Sequence, residues 1–208
     1  MNLKYNYWYW SQALPNHLCN EIVKYGLECN KVQMGVTGGF DADKVTPRDI
    51  SLIKQKRDSN VAWLDDNWIY KEILPFVKDA NKRANWNFDL TQAEHCQFTI
   101  YGPQQHYGWH CDSWEEAYHE NSKVKGFNGL VRKLSVTVSL SDETSYEGGE
   151  LEIDHKNCVE KRQIETITKI KPKGSIIVFP SFMWHRVKPV FKGIRYSLVV
   201  WVCGKPFR

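Results

Sequence analysis

Apolar residues recur at helical spacing twice in the first half of the chain and at alternate positions through most of the second half. Tyr5 to Trp10 is dense in aromatic side chains and reads as an edge strand packed on the core. Leu14-Pro15-Asn16 then turns into a helix, with Leu18, Ile22, Val23 and Leu27 on one face through about Cys29 and Asn16 as the predicted N-cap. Gly35 to Thr46 reads as a glycine-containing loop and Arg57 to Leu64 as a strand. A second helix is predicted from about Asp66 to Arg83 on Trp68, Ile69, Ile73, Phe76, Val77 and Ala80, and Pro75 should kink it or split it in two.

From His95 onward the period shortens to that of strands. They are predicted at Cys96 to Tyr101, Arg132 to Leu140, Gly149 to Asp154, Gln163 to Ile170, Gly174 to Phe179, Met183 to Val190 and Arg195 to Val202. Turn residues separate them at Ser141-Asp142-Glu143, Glu147-Gly148-Gly149, Lys171-Pro172-Lys173-Gly174 and Lys192-Gly193. The polar stretch 113–131, which contains Glu115, Glu116, His119, Lys123 and Lys125, has the length of a lid or an insertion. No repeat or linker divides the chain. The expected fold is mainly β with flanking helices (α+β), a double-stranded β-helix or cupin-like jelly roll braced by N-terminal helices. A single domain over 1–208 is expected, with 1–94 as helical support and N-terminal strands and 95–203 as the jelly-roll core.

Composition narrows the setting. The 208 residues are 42% hydrophobic and 25% charged, which suits one globular domain with a full core. Nine tryptophans exceed the needs of a small core, so some of these rings are expected to line a cleft. The net charge is only +4 and the basic residues are scattered, so no nucleic-acid partner is expected. The six cysteines form no CxxC pair, which fits a reducing compartment. No apolar run approaches the roughly 20 residues of a spanning helix, and the expected location is cytoplasmic, with no membrane partner.

The candidate chemistry lies between Tyr101 and Asp112. His110 and Asp112 stand two apart, so an extended chain turns both toward one cation and Cys111 away from it. His185 follows the apolar run Ile176 to Phe179, and Arg195 stands ten residues later. Two histidines and a carboxylate with open positions form the facial set of non-heme Fe(II) oxygenases. A structural hydrogen-bonded cluster is the competing reading, as an ion pair is for Arg195. Tyr107 and Trp201 read equally well as core aromatics. His106 stands four before His110, but Gly102-Pro103 and Gly108 argue against a helical zinc pair there. His17, His95, His119 and His155 read as ordinary residues, and the charges of 115–125 as a solvated face.

Over roughly 95–203 these residues resemble the Fe(II)- and 2-oxoglutarate-dependent dioxygenases, and within them the prolyl 4-hydroxylase-like branch. Tyr101, Tyr107 and His110-x-Asp112 follow the family's Tyr, Tyr, His-x-Asp pattern. Glu147-Gly148-Gly149-Glu150-Leu151 is similar to its Gly-Gly-Glu strand, and Gly174 to Trp201 keeps its Gly, Phe-Pro, His, Pro-Val, Gly, basic residue, Trp order. Arg57-Asp58-Ser59 resembles its Arg-x-Ser strand. The resemblance implies Fe(II) held by His110, Asp112 and His185, with 2-oxoglutarate clamped by Arg195 and aided by Tyr101 and Ser197. It also implies O2 as oxidant, ascorbate as reductant, and hydroxylation of a C–H bond with succinate and CO2 as coproducts. Collagen-type members often carry Lys where Arg195 stands, so this position is more similar to the oxygen-sensing and bacterial branches. The resemblance implies Tyr107 and Trp201 as contacts to a target proline, and Arg57 and Arg132 are the basic residues expected to reach peptide carbonyls. A free amino acid or other small molecule is the alternative substrate, and a non-catalytic metal- or ligand-binding jelly roll is the alternative class.

Overall fold

In the computed structural model, which describes residues 3–29, 32–36, 45–113, 116–120, 126–156 and 161–207, helices brace antiparallel sheets. The first part of the chain forms β1 (Trp8–Trp10), α1 (Asn16–Glu28), β2 (Gln33–Met34), α2 (Pro47–Lys56), β3 (Arg57–Asp58), β4 (Asn60–Leu64), α3 (Asn67–Arg83) and β5 (Gln92–Ala93). The jelly roll continues as β6 (Cys96–Tyr101), β7 (His106–His110), β8 (Val131–Ser139), β9 (Tyr146–Gly148), β10 (Leu151–Asp154) and β11 (Ile164–Thr166). It closes with β12 (Ile176–Pro180), β13 (His185–Val187), β14 (Val190–Gly193) and β15 (Arg195–Gly204). The larger sheet runs β1-β12-β8-β15-β6-β4-β2, with β5 also on β15, and the smaller runs β11-β10-β13-β7-β3. β14 and β9 form a separate ladder.

The larger sheet has two chemically different faces because side chains alternate along each strand. Leu134, Val136 and Val138 of β8 and Leu198, Val200 and Val202 of β15 join Ile22 of α1 and Ile69, Ile73 and Val77 of α3 in one core. α1 lies so close that a β-carbon on Gly26 would stand 2.5 Å from the Phe98 ring. The intervening residues Ser135, Thr137 and Ser139, and Arg195, Ser197 and Trp201, face the smaller sheet. Pairing puts Trp201 opposite Ser135, and Ser197 opposite Ser139 and Thr99. A second core of Leu151, Ile153, Ile177, Phe179 and Met183 fills one end of the space between the sheets. The other end holds polar side chains and aromatic rings.

Several expectations are corrected in detail. Pro15, not Asn16, occupies the cap of α1, and Asn16 is its first helical residue. α3 runs through Pro75 without splitting; Ile69, Ile73, Val77 and Ala80 are buried on both sides of the proline and hold the two halves on the same sheet. The strand expected over 57–64 is two strands in two sheets, which part at the buried Ser59. Gly148 and Gly149 adopt φ of 81° and 66°, so β10 begins only at Leu151. The strand expected over 163–170 shortens to β11 followed by a 3-10 turn, Thr168–Ile170.

α2 was not expected. Its start is written as Thr46-Pro47-x-Asp49: the Thr46 hydroxyl accepts from the Asp49 N–H at 3.2 Å, and the Asp49 carboxylate accepts from the Thr46 N–H at 2.9 Å. Only Ile53 of this helix is buried, so it has almost no apolar periodicity to read. In the stretch 113–131, Glu115, Lys123 and Lys125 lie outside the described residues. The described part is tethered: the Tyr118 N–H donates to the Leu130 carbonyl at 2.9 Å, the Gly129 N–H to that of Tyr118 at 2.8 Å, and Phe127 and Leu130 pack on Cys203.

Among the described residues no helix is long and apolar enough to cross a membrane, and Cys19, Cys29, Cys96, Cys111 and Cys203 are free thiols. Leu134→Ala, on the helix-packed face, should lower unfolding free energy by about 2–5 kcal/mol in urea titrations while leaving metal uptake unchanged.

Candidate metal centre and active site

Two ligand candidates meet through strand pairing. β13 runs antiparallel to β7 with His185 directly opposite His110, and both rings turn inward. The chain leaves β7 at His110, and the N–H groups of Asp112 and Ser113 both donate to the Ser181 carbonyl, at 2.8 and 2.9 Å. That turn brings the Asp112 carboxylate back: Oδ1 lies 3.6 Å from His110 Nε2, and Oδ2 3.5 Å from His185 Nε2. One ligand atom from each residue lies within 4.8 Å of the other two. Among the described residues this is the one group of three or more such side chains so arranged.

Hydrogen bonds fix which nitrogens are available. His110 Nδ1 lies 2.8 Å from the Gly108 carbonyl and His185 Nδ1 2.9 Å from that of Met183. A carbonyl only accepts, so both Nδ1 atoms carry hydrogen and the Nε2 lone pairs point at the shared centre. Burial, reinforced by the neighbouring His185, lowers the His110 pKa to about 3. Burial opposes ionisation of Asp112, but His185, His110, Arg132 and a 2.7 Å bond from the Ser135 hydroxyl outweigh it and leave its pKa at about 2. Ser135 is held in turn by Ser181 at 2.9 Å. A neutral imidazole and an ionised carboxylate beside a second imidazole are the donors that a facial Fe(II) site needs.

Arg195 opens β15 opposite Tyr101, is 3% exposed, and donates from Nη1 to Ser197 Oγ at 3.2 Å. Its guanidinium lies 5.5 Å from the Tyr101 ring centre. Among the described residues it has a hydroxyl and a ring as partners and no carboxylate. It borders a small pocket lined also by Ser139, Gly149, Leu151, Ile167 and Ile170. A β-carbon on Gly149 would come within 2.9 Å of Arg195 Cδ, a physical reason for glycine there. A buried cation without an anion beside hydroxyl and aliphatic groups fits the far end of a small dicarboxylate. Burial raises the Tyr101 phenol above its ordinary range, against the pull of Arg57 and Arg195.

The remaining predicted residues form two walls. Tyr107 stacks on His110 with ring centres 3.5 Å apart, and the Arg57 guanidinium lies 4.6 Å over the Tyr107 ring. Trp201 is buried, with Arg132 3.8 Å over its ring and the half-exposed Trp63 beyond it at 6.2 Å. Arg132, expected to reach peptide carbonyls, pairs with Glu94: its Nε and Nη2 donate to the two carboxylate oxygens at 2.7 and 2.6 Å. Burial works against the Arg132 charge, and the Glu94 pair more than restores it, so its pKa is raised. Glu94 also accepts from the Tyr118 hydroxyl at 2.7 Å, which ties the tethered segment to the Trp201 wall. His106 pairs with Asp58 across β3 and β7, outside the ligand cluster. His155 bonds to Glu165 at 2.6 Å, away from the centre.

Glu94, Ser135 and Ser181 were missed. For Ser135 a signal existed in Leu-Ser-Val-Thr-Val-Ser-Leu, where hydroxyls alternate with aliphatics. Glu94 stands just before the jelly roll and had none.

This arrangement of a jelly roll and a His-Asp-His cluster is that of an iron oxygenase, and the comparisons with known proteins agree. Residues 96–203 match the family described as the 2OG-Fe(II) oxygenase superfamily, and the chain belongs to it. A PKHD-type hydroxylase of Crocosphaera subtropica is 37% identical over 106 residues, covering 51% of this chain and 41% of that protein. A PKHD-type hydroxylase of Xanthomonas campestris strain B100 is 24% identical over 182 residues, covering 77% of this chain and 75% of its own. The chain therefore spans about two fifths of the first relative's length and three quarters of the second's. Among solved structures, a Pseudomonas putida prolyl-4-hydroxylase superposes with TM-score 0.67 at 16% identity, over 96% of this chain and 93% of that one. A viral collagen prolyl hydroxylase from Paramecium bursaria Chlorella virus-1, solved with 2OG, gives 0.63 at 18% identity over 97% of both chains. A Trichoplax adhaerens prolyl hydroxylase, solved with a hypoxia inducible factor peptide, gives 0.61 at 15% identity over 96% of this chain and 84% of that one. At these identities the solved structures establish the shared fold.

Glu94→Ala should destabilise the metal-free protein by about 3–5 kcal/mol in chemical denaturation, because it leaves Arg132 buried without its anion. Mn(II) binding should stay near wild type.

Proposed function

We propose that this chain is an Fe(II)- and 2-oxoglutarate-dependent dioxygenase that hydroxylates a prolyl residue of a protein or peptide, giving succinate and CO2 as coproducts. The oxygenase core is assigned to 95–203 and its structural support to 1–94. The carrying observation is the convergence of His110, Asp112 and His185 in a lumen that also holds a buried Arg195 with no carboxylate partner among the described residues.

His110, Asp112 and His185 hold the metal, with the two Nδ1 bonds keeping the rings in the required tautomer. Bound Fe(II) and 2-oxoglutarate supply the O2 activation and C–H hydroxylation, with ascorbate as the reductant that keeps the metal ferrous. Arg195 would hold the far carboxylate of 2-oxoglutarate through charge-assisted hydrogen bonding, with Ser197 orienting the guanidinium and Tyr101 offering a neutral hydroxyl donor. Tyr107 and Trp201 present flat aromatic surfaces suited to a pyrrolidine ring. Arg132 keeps Trp201 in place and Arg57 lies on the Tyr107 side. The prolyl reading is supported by the prolyl hydroxylases among the fold neighbours and by these aromatic walls.

Asp112→Ala removes the anionic metal ligand and should abolish turnover. Arg195→Ala should weaken 2-oxoglutarate binding by about 10- to 150-fold, the equivalent of roughly 1.5–3 kcal/mol, seen as a raised KM for the cosubstrate. An unchanged KM would remove Arg195 from that role. The reaction itself is tested by succinate release with Fe(II), ascorbate and 2-oxoglutarate on proline-containing peptides, free L-proline or no substrate, with mass detection of added oxygen. Oxygen on a peptidyl proline is the expected result, and succinate without stimulation by any peptide would overturn the substrate assignment.

A further inference from the structure

Among the largely buried inward-facing arginines of the described residues, charge is balanced for two and not for a third. Arg132 has Glu94. Arg195 has, in the reading above, the far carboxylate of 2-oxoglutarate, while Asp112 and the cosubstrate's other carboxylate offset the two charges of the metal. Arg57 is 5% exposed, donates from Nε to Ser59 Oγ at 2.8 Å, and has no hydrogen-bond partner for its buried Nη2. No carboxylate among the described residues pairs with it.

The surroundings hold this side chain in place. Gly35 lies against it, where a β-carbon would stand 2.8 Å from Arg57 Nε, and Tyr107 supports it from below at 4.6 Å. Tyr107 in turn stacks on the metal-ligand candidate His110 at 3.5 Å, so Arg57 is no farther from that ring than those two separations combined. Burying a guanidinium costs several kcal/mol unless an anion compensates it. An arginine kept here without an internal acid is therefore poised for an anion that arrives from outside.

We propose that Arg57 is a specificity-determining residue that receives a carboxylate of the substrate, so that favoured substrates carry an anionic group beside the carbon to be hydroxylated. This rests on the oxygenase reading and narrows its substrate class. The carboxylate has two chemical sources, the α-carboxylate of a free amino acid or an acidic side chain next to the target residue in a peptide.

Both are testable by calorimetric titration of the protein loaded with Mn(II) and 2-oxoglutarate, using probes that differ only in charge. The pairs are L-proline against L-prolinamide, Ac-Ala-Pro-Asp-NH2 against Ac-Ala-Pro-Asn-NH2, and the same capped peptides with Leu in place of Pro. At least one acid should bind about tenfold or more tightly than its amide, and Arg57→Gln should erase the difference while Arg57→Lys keeps part of it. A preference within the first pair alone identifies the free amino acid, and within the peptide pairs an acidic flanking residue. Equal binding of acid and amide in every pair would overturn the proposal, and so would a loss of 2-oxoglutarate affinity in Arg57→Gln, which would give the charge to the cosubstrate. The prolyl reading fails separately if the Leu peptides bind as well as the Pro peptides. Arg57→Gln should also leave the Tm of the unloaded protein unchanged or raised, since no internal ion pair is lost, and a clear fall would make Arg57 a structural residue instead.

Discussion

Two imidazoles brought face to face by one antiparallel pairing, His110 of β7 against His185 of β13, can share a cation only if their Nδ1 protons are taken up elsewhere. The Gly108 and Met183 carbonyls do this, each from two residues earlier in the same chain segment as its histidine. The third group depends on the same pairing. The turn after β7 folds Asp112 back through two bonds to the Ser181 carbonyl, and Ser181 also steadies the Ser135 hydroxyl that bonds to the carboxylate. A shift of one residue in this register would turn His185 to the outer face and leave the carboxylate with one imidazole.

The larger sheet gives that pairing a rigid backing. Its outer face is aliphatic and packed on α1 and α3, where the larger of the two apolar cores lies. The inner face is thereby free to carry hydroxyls, an arginine and aromatic rings that would destabilise an ordinary core. Glu94 and Arg132 extend the same logic. Their two-pronged pair is fully internal, it fixes Trp201, and through Tyr118 it reaches the stretch after Asp112. The larger apolar core and the chemistry thus lie on opposite sides of one sheet.

What was legible in the sequence follows this division. Aliphatic alternation in β8, the apolar run of β12 and helical spacing in α1 and α3 report burial, and they pointed to the jelly roll and its bracing helices. The ligand cluster and Arg195 were legible because His-x-Asp, His and Arg stand at ends of strands whose order the resemblance supplied. α2 escaped because one buried residue leaves no periodicity, although its capping box was written in Thr46 and Asp49. Glu94 and the split at Ser59 escaped for a different reason: they are set by contacts between segments remote in sequence, Glu94 with Arg132 and Tyr118, Ser59 with Gly35. The engagement of Arg132 by Glu94 could not be read from either residue alone.

The most direct test of the account is visible absorption under anaerobic conditions as Fe(II) and then 2-oxoglutarate are added to the protein. A metal-to-cosubstrate charge-transfer band that appears only with both, and is lost in His110→Ala, is the predicted result. No band in the native protein, or a band that survives removal of His110, would contradict the assignment of this centre.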